Sequence, residues 1–93
     1  MPNPQAHEEN LALFYASMAT LSRVEDARRL LEDICTPQEL RAIAQRLAVA
    51  KLLREERVYA EIAGITGAST ATISRVRRSM EQSQGGYDAA FGA

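Results

Sequence analysis

The sequence contains no tryptophan, a single cysteine and a single histidine, and it has few aromatic residues overall. Cys35 has no second cysteine with which to form an intramolecular disulfide. Because His7 is the only other soft ligand, we expect no zinc site. The five glycines and three prolines follow no period, which excludes a collagen-like or low-complexity chain.

Long apolar runs are also missing. No stretch of eighteen apolar residues occurs, so the sequence predicts no membrane-spanning segment and no membrane partner. The N-terminal segment carries Glu8 and Glu9, whereas a secretory signal peptide begins with basic residues. Together these absences predict a cytoplasmic protein.

Groupings of catalytic residues are absent as well. The carboxylates are scattered along the chain, and no glycine-rich phosphate-binding loop occurs. Cys35 follows Ile34, and an isolated cysteine beside an aliphatic residue is typical of a small apolar core position. We therefore predict that the protein is not an enzyme.

The sequence does have enough apolar material for one small domain, since 46 % of its 93 residues are hydrophobic. Apolar residues recur at helical steps, and no stretch alternates as a half-buried strand does. We predict an all-α single domain over residues 1–93. Its parts are N-terminal dimerisation helices (1–35), a long core helix and loop (36–58), a helix-turn-helix (59–83) and a flexible tail (84–93).

Three signals mark helix starts. Asn3 can cap a first helix that has Pro4 at its first position. Ser22 and Thr36 are each followed three residues later by a glutamate, which is the pattern of a capping box. The helices that follow have predicted inward-facing stripes of Ala27, Leu30, Leu31 and Ile34, and of Leu40, Ile43, Leu47, Ala50 and Leu53.

Two ends of the chain have unusual apolar content. The first helix carries a stripe of Leu11, Phe14, Met18 and Leu21, which Leu13 and Tyr15 broaden beyond what a small monomer can bury. We therefore predict a homodimer through the N-terminal helices; a helix that only completes its own monomer core is the alternative.

After the helix stop at Gly85 and Gly86 we expect the tail to fray or to order only with a partner, the alternative being one docked apolar turn.

Charge is segregated along the chain. Residues 1–40 carry three basic and seven acidic side chains, whereas residues 41–80 carry eight basic and three acidic ones. Such asymmetry is typical of a protein with one face that meets a polyanion, although solvated helix faces alone can also produce it.

Residues 59–78 have the pattern of a helix-turn-helix. Ala63 is small where two short helices would cross, Gly67 supplies the positive φ of the turn, and Ser69 can cap the second helix. The crevice between the two helices would be filled by Ile62, Ala68, Ile73 and Val76. The alternative to a DNA reader is a helical hairpin used only for packing.

The second helix of this motif suits the major groove of double-stranded DNA, which admits an α-helix. Short polar side chains at its start allow close approach to base edges, and we assign base reading to Ser69, Thr70, Ala71, Thr72 and Ser74. Phosphate contacts are assigned to Arg75, Arg77 and Arg78, with Arg54 and Arg57 as further candidates.

Two stretches carry a family resemblance, TPQELRAIAQRLAVAKLLREE and YAEIAGITGASTATISR. Residues 36–79 resemble the core of the Trp repressor family, and the whole chain resembles its Trp repressor-like (YerC/YecD-type) branch. The resemblance implies a dimeric transcriptional regulator with interlocked N-terminal helices. Its two readers would face successive major grooves of a pseudo-palindrome whose half-sites lie about 34 Å apart.

The resemblance also implies a ligand site. Arg46 and Arg75 match two arginines that flank the indole ring in tryptophan-binding members, Thr36 matches a threonine of the partner subunit, and Ser79 matches a serine near the ligand's amino group. Val76, however, stands where those members have a glycine, and the long helix is one residue shorter. We therefore expect no tryptophan cofactor, and surface charge or phosphate contact is the alternative role for Arg46 and Arg75.

The reader departs from the tryptophan-binding members as well, because Ala60 and Ala63 replace basic residues and Val58 replaces a polar cap. The operator should therefore differ from the tryptophan operator. Two other functions stay open at this point: a helical protein-interaction module, and a repressor gated by another small-molecule corepressor such as an amino acid.

Overall fold

The computed structural model describes residues 3–92, and within that range it contains six helices and no strand. The helices are α1 (Pro4–Ala19), α2 (Val24–Ile34), α3 (Pro37–Arg54), α4 (Tyr59–Thr66), α5 (Thr70–Glu81) and α6 (Gly86–Phe91). The predicted all-α fold class is confirmed. The backbone separates into two compact units, an N-terminal unit that ends at Pro37 and a C-terminal unit that begins at Gln38.

The N-terminal unit begins as the sequence predicts. The Asn3 side chain accepts a hydrogen bond from the Gln5 amide at 3.0 Å, and Pro4 occupies the first turn of α1. No side chain of α1 is buried. Leu13 is 69 % exposed and Tyr15 is 63 % exposed, so the side chains that broaden the apolar stripe of α1 face solvent.

Helix α2 begins one residue later than the predicted capping box requires. Arg23 is the N-cap, in extended conformation and with no side-chain cap bond, so Ser22 lies outside the cap position. Glu25 is then too close to the helix start for a capping box, and it pairs instead with Arg28. Leu30 and Leu31 are half-buried, but Ile34 is 54 % exposed and does not face a core as predicted.

The core of the C-terminal unit lies where α3, α4 and α5 meet. Its buried side chains are Val49, Ala50, Ile62, Ala68, Ile73 and Val76. The start of α3 at Pro37 agrees with the sequence, but its predicted inward stripe is only partly correct, because Ile43 and Leu47 are about half exposed. Only the C-terminal half of α3 packs against this core, where Leu52 and Leu53 also contact it.

Helix α3 ends in a Schellman motif that the sequence does not signal. The Glu56 amide donates to the Leu53 carbonyl at 3.0 Å, and the Arg57 amide donates to the Leu52 carbonyl at 3.1 Å. Glu56 has a φ of 62°, a conformation that glycine usually supplies at this position. A glutamate therefore carries backbone strain in the turn that leads into α4.

The tail is a correction to the sequence prediction. Residues 86–91 form α6 rather than a frayed end, and Tyr87 and Phe91 pack against the core of the C-terminal unit. Their rings are 6.4 Å apart and stacked. The docked apolar turn, the less favoured alternative, is the arrangement that the structure adopts because both rings find apolar contacts there.

Candidate nucleic-acid interface

The turn between α4 and α5 has the geometry that its sequence predicts. Gly67 caps α4 with a φ of 75°, a left-handed conformation that side chains rarely adopt. Thr66 closes the turn, since its hydroxyl donates to the Ile62 carbonyl at 2.7 Å and accepts from the Ala68 amide at 3.2 Å. The Gln45 side-chain amide also donates to the Thr66 carbonyl at 3.1 Å, which ties the turn to α3.

Ser69 is the N-cap of α5, as predicted. Its hydroxyl accepts a hydrogen bond from the Thr72 amide at 3.1 Å. Behind the cap, the four side chains predicted for the crevice are all buried, with Ile62 and Ile73 fully so. The cap and the crevice together fix the direction of α5 relative to α4.

The predicted base-reading residues divide into two groups. Ser69, Thr70 and Ala71 are exposed at the start of α5. Thr72 and Ser74 are half-buried. The Ser69 hydroxyl lies 3.1 Å from the Thr72 hydroxyl, and Ser74 lowers the pKa of the Tyr59 phenol. The outward tip of α5 is therefore Thr70 and Ala71, while Thr72 and Ser74 interact with other side chains of the same chain.

The five predicted phosphate contacts also divide. Arg75 and Arg78 are exposed on α5, and neither forms an ion pair with any residue in the described range 3–92. Arg57 pairs with Glu61 and lies 3.7 Å from Glu55. The Glu61 carboxylate, through its hydrogen bond, raises the pKa of Arg57 above its usual value. Arg57 therefore has carboxylate partners that a phosphate would have to replace.

Arg77 belongs to a small polar group at the base of α5. The interaction of its guanidinium with the Tyr59 phenol raises the pKa of Arg77 and lowers the pKa of Tyr59; Ser74 acts on Tyr59 in the same direction. Glu81 lies 3.9 Å from Arg77. Tyr59, at the first turn of α4, thus interacts with two of the predicted site residues, Ser74 and Arg77.

Arg54 is placed differently from the prediction that it anchors a phosphate. Its guanidinium donates to the Tyr87 carbonyl at 3.2 Å and to the Gly92 carbonyl, and it forms an ion pair with Asp88 at 3.3 Å. It also lies over the Phe91 ring, 5.8 Å from the centroid. Arg54 thus holds α6 rather than presenting a free charge.

A cleft of about 490 Å³ lies between α3 and α5. It brings together three of the four residues that the family resemblance assigns to a ligand, Arg46, Arg75 and Ser79. The fourth, Thr36, is in the N-terminal unit and is not a lining residue. Tyr87 also lines the cleft, although the family resemblance does not assign it to the ligand site.

The membrane prediction can be compared with the helices directly. Within residues 3–92, the longest helices are too short or too polar to cross a bilayer.

Comparison with known proteins gives a consistent family. Residues 9–93 match the family described as Trp repressor protein. The uncharacterized protein YerC of Bacillus subtilis (strain 168) is 42 % identical over 83 residues, which cover 89 % of this chain and 80 % of YerC.

Solved structures agree with the sequence match. The crystal structure of a TrpR-like protein from Eubacterium eligens ATCC 27750 superposes with a TM-score of 0.85 at 42 % identity, covering 96 % of this chain and 92 % of that chain. A crystal structure from Staphylococcus aureus gives a TM-score of 0.82 at 36 % identity, covering 88 % and 82 % of the two chains. The family comprises regulators rather than enzymes, in agreement with the sequence prediction. With its capped reader helix and its helix order, the chain belongs to the Trp repressor family.

Proposed function

We propose that the protein is a transcriptional repressor that binds a specific sequence of double-stranded DNA. It acts as a homodimer in the cytoplasm. The observation that carries this proposal is the surface of α5. Thr70 and Ala71 present small side chains at its tip, and Arg75 and Arg78, which have no ion-pair partner within residues 3–92, follow on the exposed side. A major groove accommodates such a tip, and flanking phosphates attract such arginines.

The division of labour follows from exposure. Thr70 and Ala71 contact base edges or a thymine methyl group, and Ser69 and the amides of the first turn approach a phosphate. Arg75 and Arg78 neutralise phosphates directly. Arg57 and Arg77 exchange their exposed carboxylate partners for phosphates at little cost, because ion pairs between solvent-exposed side chains contribute little to stability.

The homodimer supplies cover for the apolar surface of the N-terminal unit. Leu11, Leu13, Phe14 and Tyr15 of α1 are all exposed in the single chain. Exposed aliphatic and aromatic side chains in this number favour association with a second copy. Two readers related by a two-fold axis then address two half-sites about one helical turn apart.

The test begins with selection of bound duplexes from a random DNA pool, followed by mobility-shift titration on the recovered site. Arg78→Ala should weaken binding several-fold at low salt. Arg29→Ala removes the same positive charge from α2 and should leave the affinity within twofold. Failure of the wild-type protein to retain any duplex in dilute buffer would overturn the proposal.

A second candidate function is gating by a small molecule, and the cleft between α3 and α5 favours it. Arg46 and Arg75 line this cleft together with Ser79, and all three are exposed to solvent. Val76 takes the place of a glycine at its floor, which argues for a ligand other than tryptophan. Thermal-shift titration with the twenty amino acids decides: a stabilising ligand that also changes DNA affinity supports gating, and no stabilisation by any of them removes it.

Salt dependence separates DNA binding from the alternative of a protein-interaction module. Affinity for DNA should fall steeply as salt rises because counterions are released from neutralised phosphates. An apolar interface with another regulator would keep most of its affinity over the same range.

A further inference from the structure

Helix α6 is held by contacts to both α3 and α5. On the α3 side, Arg54 donates to two carbonyls at either end of α6 and pairs with Asp88. The same guanidinium lies over the Phe91 ring. One side chain thus contacts the beginning, the middle and the end of this short helix.

On the α5 side the contact is a hydrogen bond from Tyr87. Its hydroxyl lies 2.8 Å from Ser79 Oγ. Because the Ser79 hydroxyl already donates to the Val76 carbonyl at 2.8 Å, the Tyr87 hydroxyl is the donor in this pair. The bond therefore attaches α6 to the reader helix two turns after its DNA-facing tip.

These contacts place Tyr87 and Arg54 in a chain that runs from α3 through α6 to α5. Tyr87 itself is half-buried, packs against the core and lines the cleft. A molecule that bonded Ser79 from within the cleft would have to compete with the Tyr87 hydroxyl.

We propose that α6 is an intramolecular clamp on the reader helix, with Tyr87 and Arg54 as positioning residues for DNA recognition. This inference rests on the proposed function. The clamp restricts the orientation of α5 before DNA arrives, so that less ordering is required on binding. Specific binding, which needs one orientation of α5, benefits from the clamp, whereas loose electrostatic association with any duplex does not.

The first test removes one hydroxyl. Tyr87→Phe keeps the ring and its packing but loses the bond to Ser79. Affinity for the selected site should fall about threefold to tenfold, the range expected for one net hydrogen bond, while affinity for a random duplex should stay within twofold. Ser22→Ala, which removes an exposed hydroxyl between α1 and α2, is the control and should change neither affinity.

A second variant separates the clamp from the phosphate contact that the sequence predicts for Arg54. Asp88→Asn removes the carboxylate that pairs with Arg54. If Arg54 latches α6, this change lowers affinity for the selected site. If Arg54 is a phosphate anchor, the same change frees its charge and raises affinity for every duplex, and that result would overturn the clamp.

Amide hydrogen exchange of the protein without DNA tests the clamp independently of DNA binding. Amides of residues 70–81 should exchange faster in Tyr87→Phe than in the wild type, and Ser22→Ala should leave them unchanged. Equal exchange rates in all three proteins would overturn the clamp whether or not the protein binds DNA. Absence of DNA binding by the wild type, with the exchange difference present, would overturn the proposed function alone.

Discussion

The Ser69 hydroxyl accepts a hydrogen bond from the backbone amide of Thr72 at 3.1 Å, and this bond begins the reader helix. Ser69→Ala should destabilise the protein by about 1 kcal/mol because an amide of the first turn loses its partner. Thermal or urea unfolding measures this change.

Ser22 provides the control for that experiment. The sequence predicts a cap at this residue too, but Arg23 occupies the cap position of α2 and makes no side-chain cap bond. Ser22→Ala should therefore change the free energy of unfolding by less than about 0.5 kcal/mol. Equal losses in the two variants would contradict the difference between the two helix starts.

Two glycines three residues apart should respond to alanine with opposite signs. Gly67 has a φ of 75°, so Gly67→Ala should destabilise the fold by about 1–2 kcal/mol through backbone strain alone, since no atom lies closer than 3.9 Å to the added methyl. Gly64 lies inside α4 with open space around it, and Gly64→Ala should stabilise the protein by about 0.5–1 kcal/mol. Chemical denaturation of both variants tests the pair.

The strained glutamate at the end of α3 should be improved by glycine. Glu56 occupies a left-handed position in a Schellman motif, with a φ of 62°. Glu56→Gly relieves strain of about 1–2 kcal/mol at an entropic cost of about 0.5–1 kcal/mol, so a net gain of about 0.5–1 kcal/mol is expected. A fall in the unfolding midpoint, with unchanged slope, would show that the glutamate contributes more than its backbone strain costs.

Substitutions at Thr70 and Thr72 should have different effects, the first on sequence preference and the second on stability. Thr70 is exposed at the tip of α5, so Thr70→Ala should change the sequence recovered by selection while leaving stability nearly unchanged. Thr72 is half-buried with its hydroxyl beside Ser69, so Thr72→Ala should act mainly on stability. A changed sequence preference in Thr72→Ala, without one in Thr70→Ala, would reverse this assignment.

The exposed arginines of α5 should determine the salt dependence of binding. Arg78→Ala and Arg77→Ala each remove one phosphate contact and should each lower the slope of log affinity against log salt by about 0.9. Arg78 has no carboxylate partner within residues 3–92, whereas Arg77 must leave Tyr59 and Glu81, so Arg78→Ala should cost more affinity. Larger losses for Arg77→Ala at every salt concentration would contradict this ranking.

Local rules account for the reader because its signals lie within a few residues of one another. Gly67, Ser69 and the apolar residues of the crevice specify the turn, the cap and the packing at short range, and all three features are present as predicted. The resemblance to the Trp repressor family, read from two stretches of the same region, is confirmed by comparison.

Contacts between residues far apart in sequence could not be predicted in this way. Arg54 bonds residues of α6 and its C-cap that lie 33 to 38 positions further along the chain, so the local sequence pattern predicts neither the docked tail nor the partners of Arg54. The capping box predicted at Ser22 is wrong because α2 begins one residue later, with Arg23 as its N-cap. Helix ends read from a sequence pattern are uncertain by one or two residues. Glu56 adopts a glycine conformation, for which side-chain identity gives no warning.

We propose that two copies of α5, related by a two-fold axis, lie in successive major grooves of one duplex. Hydroxyl-radical footprinting of the complex on the selected site measures where the two helices lie. Two protected patches are expected on one face of the duplex, related by two-fold symmetry and centred about one helical turn apart. A single protected patch at saturating protein, or protection without any register, would contradict it.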